Sequence, residues 1–217
     1  MPTFHAGPAP RLLGPRPGAV RSGLAFSPGM KVGLLGGSFN PAHDGHRHVA
    51  ETALNRLGLD KVVWLVSPQN PLKDARDSAP LADRMASAAA VADHPDMQVS
   101  DFETRAGVRW TVDTLRALKG RHPAVRFVWL MGSDNLAGFH RWRGWTDILR
   151  EVPVAVIARP GSLLKSRTAP AARRFAGFRV PQEAARSLPY LQAPAWTYLT
   201  APLNPRSSTA IRAQRNA

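Results

Sequence analysis

The stretch KVGLLGGSFNPAHDGHRHVAETALNRLG, residues 31–58, decides the fold. Lys31–Leu35 is a short apolar run that ends at Gly36 and Gly37, the pattern of a buried strand running into a tight turn. Beyond the turn, His46, Val49, Ala50, Ala53, Leu54 and Leu57 recur at helical spacing. They share one face of a helix, and Gly58 stops it.

The same alternation continues outward from this unit. Lys61–Val66 reads as a second strand, followed by a loop around Pro68–Pro71. Leu81–Ala92 is an Ala-rich helix, Met97–Phe102 a strand, Thr111–Lys119 a helix and Val125–Met131 a strand. Asp147–Arg150 ends a further short helix, and Pro153–Ala158 is another strand. After Arg159-Pro160-Gly161 the signal weakens until Trp196–Thr200 and a short helix from Ser208. Strands alternating with helices at this spacing predict an α/β fold: a doubly wound, Rossmann-like parallel sheet with helices on both faces, in a single domain over residues 30–217. In such sheets ligands bind beyond the carboxyl ends of the strands. Residues 1–29 are rich in Pro, Gly, Ala and Arg without apolar periodicity, and read as a flexible N-terminal extension.

Composition narrows the chemistry. The 217 residues are 44% hydrophobic, with no apolar run long enough to span a bilayer, so no membrane partner is expected. Cysteine is absent, which excludes a disulfide framework, a thiolate metal site and a cysteine nucleophile, and suits a cytoplasmic location. The net charge of +14 is unevenly spread. Residues 31–158 hold 16 basic and 14 acidic side chains, whereas residues 159–217 hold 10 basic residues against Glu183 alone. The excess lies in the leader and the final quarter, as a solvated basic surface would. A nucleic-acid-binding module is therefore the remote reading, and no nucleic-acid partner is expected. The oligomeric state is not legible.

The chemistry-bearing residues follow predicted strands. Gly36 and Gly37 let the backbone approach a ligand closely. The amides at the start of the next helix favour a phosphate in the space beyond. His43 and His46, three residues apart, can both point at that phosphate and balance its charge during displacement. The spacing matches neither a G-x-G-x-x-G fingerprint nor a Walker loop. A zinc site would need a third ligand, and His48 faces another side of the helix, so no protein metal site is expected. Ser207, Ser208 and Thr209 at a predicted helix start can cap it or hold phosphates, with Arg212 one turn later. Asp134 after Gly132 can accept ribose hydroxyls or cap the next helix. Trp142 and Trp145 lie among Arg141 and Arg143, a combination that suits a flat ring bearing a carboxylate.

Gly36–His46 resembles the G-G-x-F-[DN]-P-x-H-x-G-H signature of the adenylyltransferases in the nucleotidyltransferase superfamily that carries an H-x-G-H motif. The likeness runs from about Met30 to Arg212 and is strongest to the branch whose acceptor is nicotinate mononucleotide. It implies AMP transfer from ATP to that mononucleotide, with release of pyrophosphate, in NAD biosynthesis. Sister enzymes acting on nicotinamide mononucleotide or phosphopantetheine are the enzyme alternatives. It further implies His46 and His43 as catalytic residues. ATP would be held by Gly36, Gly37, Ser38, Phe39, His43, His46, Lys73, Arg159, Ser207, Ser208, Thr209 and Arg212, with Mg²⁺ arriving on the nucleotide. Trp110-Thr111 resembles the family's [YW]-T-x-x-T segment. With Gly132, Asp134, Trp142 and Trp145 it would bind the mononucleotide, Trp142 stacking on the pyridine. Two departures stand out: Arg206 replaces a usually apolar residue, and the sequence stops at Ala217, soon after Arg212.

Overall fold

A computed structural model describes residues 23–68, 79–160, 166 and 168–200. Their strands form one seven-stranded sheet, every pair of which is parallel. The strands are β1 (Lys31–Gly37), β2 (Lys61–Val66), β3 (Met97–Ser100), β4 (Arg126–Gly132), β5 (Val154–Ile157), β6 (Arg179–Val180) and β7 (Trp196–Leu199), in the order β3-β2-β1-β4-β5-β7-β6. The chain works outward from β1 through β2 to β3, then crosses to β4 on the other side of β1. The β1–β4 junction is thus the switch point, where loops leave in opposite directions and open a crevice at the carboxyl ends.

Alternate side chains of each strand feed two cores. Val32, Leu34, Val63, Leu65, Trp129, Met131, Val154 and Val156 face one side, packed with α3 (Phe102–Arg105), α4 (Thr111–Arg121), α5 (Ser133–Gly138), α6 (Trp145–Glu151) and α7 (Pro170–Arg174). Leu35, Val62, Trp64, Val66, Val128, Leu130, Ala155 and Ile157 face the other, under α1 (Asp44–Leu57), α2 (Leu81–Val91) and the 3-10 segment Gln182–Tyr190. Burial on both faces is why these strands read as continuous apolar runs rather than alternating ones. The doubly wound α/β expectation holds.

Helix α1 carries the predicted stripe: Val49, Ala50, Ala53, Leu54 and Leu57 are buried, while His46 at its open end is half-buried. Gly58 ends it with φ 63°, its N–H donating to the Leu54 carbonyl.

Most boundaries fall within one or two residues of expectation, and three differences affect the site or the packed body. Gly36 and Gly37 belong to β1, because they pair with Leu65 and Val66 of β2. Phe102 starts α3 rather than ending β3, with Ser100 Oγ accepting its N–H at 3.2 Å. Leu24 and Phe26 pack against the core, and the Gly29 N–H donates to the Ala124 carbonyl at 2.7 Å. The packed body therefore begins before Met30, inside the stretch read as an extension. Residues 1–22, and the predicted helix from Ser208, lie outside the described residues. Among the described residues no helix is long and apolar enough to cross a membrane.

Candidate active site

The turn from Ser38 to His43 is shaped by an aromatic ring. Phe39 has φ 48°, a left-handed conformation that costs a non-glycine residue about 1–3 kcal/mol. Its ring is buried, stacked on Trp64 at 5.1 Å and edge-on to His46 at 4.9 Å. Burying a phenyl ring stabilises by roughly 1.5–3 kcal/mol, enough to hold that backbone. A Cβ on Gly37 would sit 3.1 Å from this ring, so the glycine makes room for Phe39.

Arg84 braces the same turn from α2. It is 2% exposed and donates to the carbonyls of Ser38 at 2.9 Å, Ser67 at 2.8 Å and Ala79 at 3.0 Å. One guanidinium thereby ties the loops leaving β1 and β2 to each other. Its counterparts are carbonyl dipoles, and burial pulls its pKa down. Ser87 of α2 adds a second tie, accepting the Ala42 N–H at 3.1 Å.

The two histidines cap α1. His43 is the N-cap and accepts the Gly45 N–H at Nδ1, 3.1 Å away, while His46 Nδ1 accepts the His43 N–H at 3.3 Å. This is a capping box built from imidazoles instead of a hydroxyl and a carboxamide. With Nδ1 an acceptor, the neutral His46 ring carries its proton on Nε2. Burial above all, then the charges of His43 and Arg159, pull the His46 pKa down from 6.5 to about 3. His46 is thus a neutral donor at physiological pH, at the positive end of a 14-residue helix.

Beside the turn, at the β1–β4 switch point, a cleft of ≈ 430 Å³ opens. Gly36, Gly37 and Ser38 line one side. Trp110, Thr111, Trp129 and Trp142 form its walls, together with Ser67, Glu103, Arg109, Asn135, Arg141 and Arg143. Trp142 stands edge-on to Trp129 at 6.5 Å and to Phe139 at 5.3 Å, and the Arg143 guanidinium lies over Trp110 at 5.2 Å. A Cβ on Gly36 would strike the Trp129 ring. Gly36 therefore admits this tryptophan wall as well as leaving an open face.

A cytidylyltransferase-like family model matches residues 34–214. The chain is 63% identical over 186 residues to a probable nicotinate-nucleotide adenylyltransferase of Caulobacter sp. (strain K31), covering 86% of this chain and 98% of the relative. The chain belongs to the nicotinate-nucleotide adenylyltransferase family. A member from Rhizobium meliloti (strain 1021), also named as probable, is 49% identical over 187 residues, covering 86% of this chain and all of the relative. The fold matches a Plasmodium falciparum nicotinic acid mononucleotide adenylyltransferase complexed with NaAD, with a TM-score of 0.64 at 16% identity, covering 85% and 83% of the two chains.

Set against the family pattern, six of the expected binding residues line the cleft: Gly36, Gly37, Ser38, Trp110, Thr111 and Trp142. Phe39, His43 and His46 form the adjoining turn. Gly132 ends β4, and the space its side chain would fill is taken by the Asp134 carboxylate and the Arg159 methylenes. Asp134 and Arg159, read separately from the sequence, form one ion pair at 3.2 Å. Trp145 is set apart from the cleft. It is half-buried and packs against the core on Phe139 and Phe175, with Arg174 over its ring at 5.9 Å. Lys73, Ser207, Ser208, Thr209 and Arg212 lie outside the described residues.

Two residues of the site carried no sequence signal. Arg84 is the lone arginine of an Ala-rich helix, a pattern that reads as solvated surface. Glu103 lies where a strand end was expected, yet it is 5% exposed and lines the cleft. Its Oε1 accepts the Thr114 hydroxyl at 2.9 Å. Burial pushes its pKa up to about 7, against the opposing pull of that hydrogen bond. Only packing reveals either role.

Proposed function

We propose that this nicotinate-nucleotide adenylyltransferase family member joins AMP from ATP to nicotinate mononucleotide, giving nicotinate adenine dinucleotide and pyrophosphate. The observation that carries the reading is the juxtaposition of two histidines in the cap of α1 with an aromatic cleft at one switch point.

In this reading the mononucleotide 5′-phosphate attacks the α-phosphorus of ATP in line, and the bond to pyrophosphate breaks. No side chain forms a covalent intermediate, so catalysis rests on orientation and charge stabilisation. His46 and His43 would donate Nε2–H to the α-phosphate oxygens, bonds that strengthen as charge collects there. Because both rings are held by backbone contacts, little reorganisation is needed at that moment. Trp110 and Trp142 would grip the pyridine between them, and Thr111 in the first turn of α4 would meet its carboxylate. Asp134 would share its carboxylate between Arg159 and a ribose hydroxyl.

Mg²⁺ would arrive on the triphosphate and neutralise its charge. Among the described residues no cluster of three or more imidazole, thiol or carboxylate side chains forms a separate cage for it. Lys73 and the Ser207–Arg212 segment are assigned to the triphosphate from the family motif alone. The same proposal places the enzyme in the cytoplasm, a compartment that a biosynthetic role and a chain without cysteine suit.

The deciding experiment is pyrophosphate release from ATP and Mg²⁺ with nicotinate mononucleotide, nicotinamide mononucleotide or phosphopantetheine as acceptor. The reading requires fastest turnover with nicotinate mononucleotide. A preference for either rival acceptor overturns it in favour of that sister activity.

A further inference from the structure

The cleft contains a contradiction in charge. A site for an anionic pyridine ring has a carboxylate in its lining: Glu103, buried between α4 and the aromatic walls. Glu103 Oε1 is occupied by the Thr114 hydroxyl. No second hydrogen bond reaches its carboxylate among the described residues, and the side chain lines the cleft.

Its charged neighbours do not neutralise it. On its own helix, Asp101 and Arg105 pair with each other at 2.7 Å. The Arg143 guanidinium lies over Trp110, and Arg109 and Arg141 are exposed at the rim. From α4 come Thr114 and the half-buried Asp113, while Arg121 lies over the Phe102 ring at 5.0 Å. β2, which packs against α3, presents Val63 and Leu65 to this core. No ion pair reaches Glu103 among the described residues.

We infer that Glu103 determines which form of the pyridine substituent the cleft accepts: neutral, it donates Oε2–H to a carboxylate, and ionised, it repels the acid and accepts from an amide. This rests on the proposed pyridine mononucleotide substrate and goes beyond it, by making acid-versus-amide selectivity a function of one side chain's proton. Thr114 tunes the switch, because its O–H donates to the carboxylate and so favours the ionised form. Glu103 titrates near neutral pH, where the switch would operate.

The test is the ratio of affinities for nicotinate and nicotinamide mononucleotide between pH 6 and 8.5. It is read by quenching of tryptophan fluorescence without ATP, and in parallel by pyrophosphate release with ATP. The 5′-phosphate titrates alike in both ligands and cancels in the ratio. A group titrating near 7 goes from about nine-tenths to about one-tenth protonated between pH 6 and 8. Affinity for the acid should accordingly fall about tenfold in the wild type, and its preference over the amide by up to about a hundredfold, since the ionised form also favours the amide. In Glu103→Gln, whose amide is a permanent neutral donor, the ratio should be flat and still favour the acid at pH 8. In Thr114→Val the midpoint should move to higher pH.

A flat ratio in the wild type overturns the inference whatever the variants do, and so does an unchanged slope in folded Glu103→Gln. A pH-dependent binding ratio without pyrophosphate release would keep Glu103 and overturn the proposed reaction. Turnover with a flat ratio would do the reverse. Failure of both mononucleotides to bind overturns both.

Discussion

The imidazoles of His43 and His46 lie 3.8 Å apart, tilted by 31°, and one backbone amide links them: His46 Nδ1 accepts the N–H of His43. The Gly45 N–H holds His43 in the same way, so both rings turn Nδ1 towards the cap. A structural device, the end of a helix, and the proposed phosphate contact are the same two side chains.

Replacing His46 with Ala should lower kcat by about 10²–10³-fold, the usual loss for one transition-state donor. Loss of half the capping box should cost only about 1 kcal/mol, so Tm should fall about 2–4 °C with an unchanged circular dichroism spectrum. Because the His46 pKa is depressed to about 3, His46 should contribute no titration to kcat between pH 6 and 9. A wild-type inflection near 6.5 that vanishes in the alanine variant would show that His46 titrates and is not a fixed neutral donor.

Trp142 and Trp145 are three residues apart but should fail differently. Trp142→Ala removes a cleft wall and should raise KM for the mononucleotide about tenfold, leaving KM for ATP unchanged. Trp145→Ala opens the packing against Phe139 and Phe175. It should cost about 3 kcal/mol in urea unfolding, with KM values near wild type. Equal KM effects from the two would return Trp145 to the binding site.

Arg84→Met should be damaging out of proportion to its place in an Ala-rich helix. It strips a charged donor from three carbonyls, and hydrogen bonds to charged groups contribute about 1.5–3 kcal/mol each, so a loss of at least about 3 kcal/mol is expected. Arg84→Lys can reach fewer of these acceptors and should fall between. Urea midpoints for the two variants check the order.

Gly36→Ala adds a methyl group where the Trp129 ring sits. Overpacking of this kind costs about 1–3 kcal/mol. The displaced ring should also narrow the cleft and raise KM for the mononucleotide, measurable by steady-state kinetics. An alanine variant with normal stability would mean that Trp129 can move aside at no cost.

Glu103 makes stability depend on pH in a predictable direction. Its folded pKa of about 7 lies above the ordinary 4.5, so the native state holds its proton more tightly than the unfolded chain. The stabilisation is full below pH 4.5 and is lost as pH rises to about 7, by up to about 3 kcal/mol. Glu103→Gln lacks this loss. The difference in unfolding free energy between variant and wild type should therefore shift in the variant's favour from pH 4.5 to 7.5, as denaturant titrations would show.

The strand–turn–helix unit at residues 31–58 was legible because each part is written locally. A buried parallel strand is a continuous apolar run, a helix face repeats every three to four residues, and Gly58 supplies the left-handed cap. The seven-stranded order required more. Gln182–Tyr190 is a 3-10 segment with Pro189 inside it, a residue that argues against a helix, and β6 is two residues long, so both are easily passed over. The start of the packed body was also hidden, since Leu24-Ala25-Phe26 is too short an apolar run to show a period in a Pro- and Gly-rich stretch.

The chemical type of the site was local too: two histidines around a glycine, after a Gly-Gly strand end, are contiguous in the chain. What the sequence by itself determined is therefore the reaction class, the parallel α/β fold and the identity of the main cleft aromatics. Tertiary structure alone decided that Trp145 packs against Phe139 and Phe175, that Asp134 and Arg159 are one pair, that Arg84 braces the turn and that Glu103 lines the cleft. The physical reason is burial. An arginine or glutamate reads as surface from its own neighbours, and acquires a brace's or a switch's role only when distant segments exclude water from it.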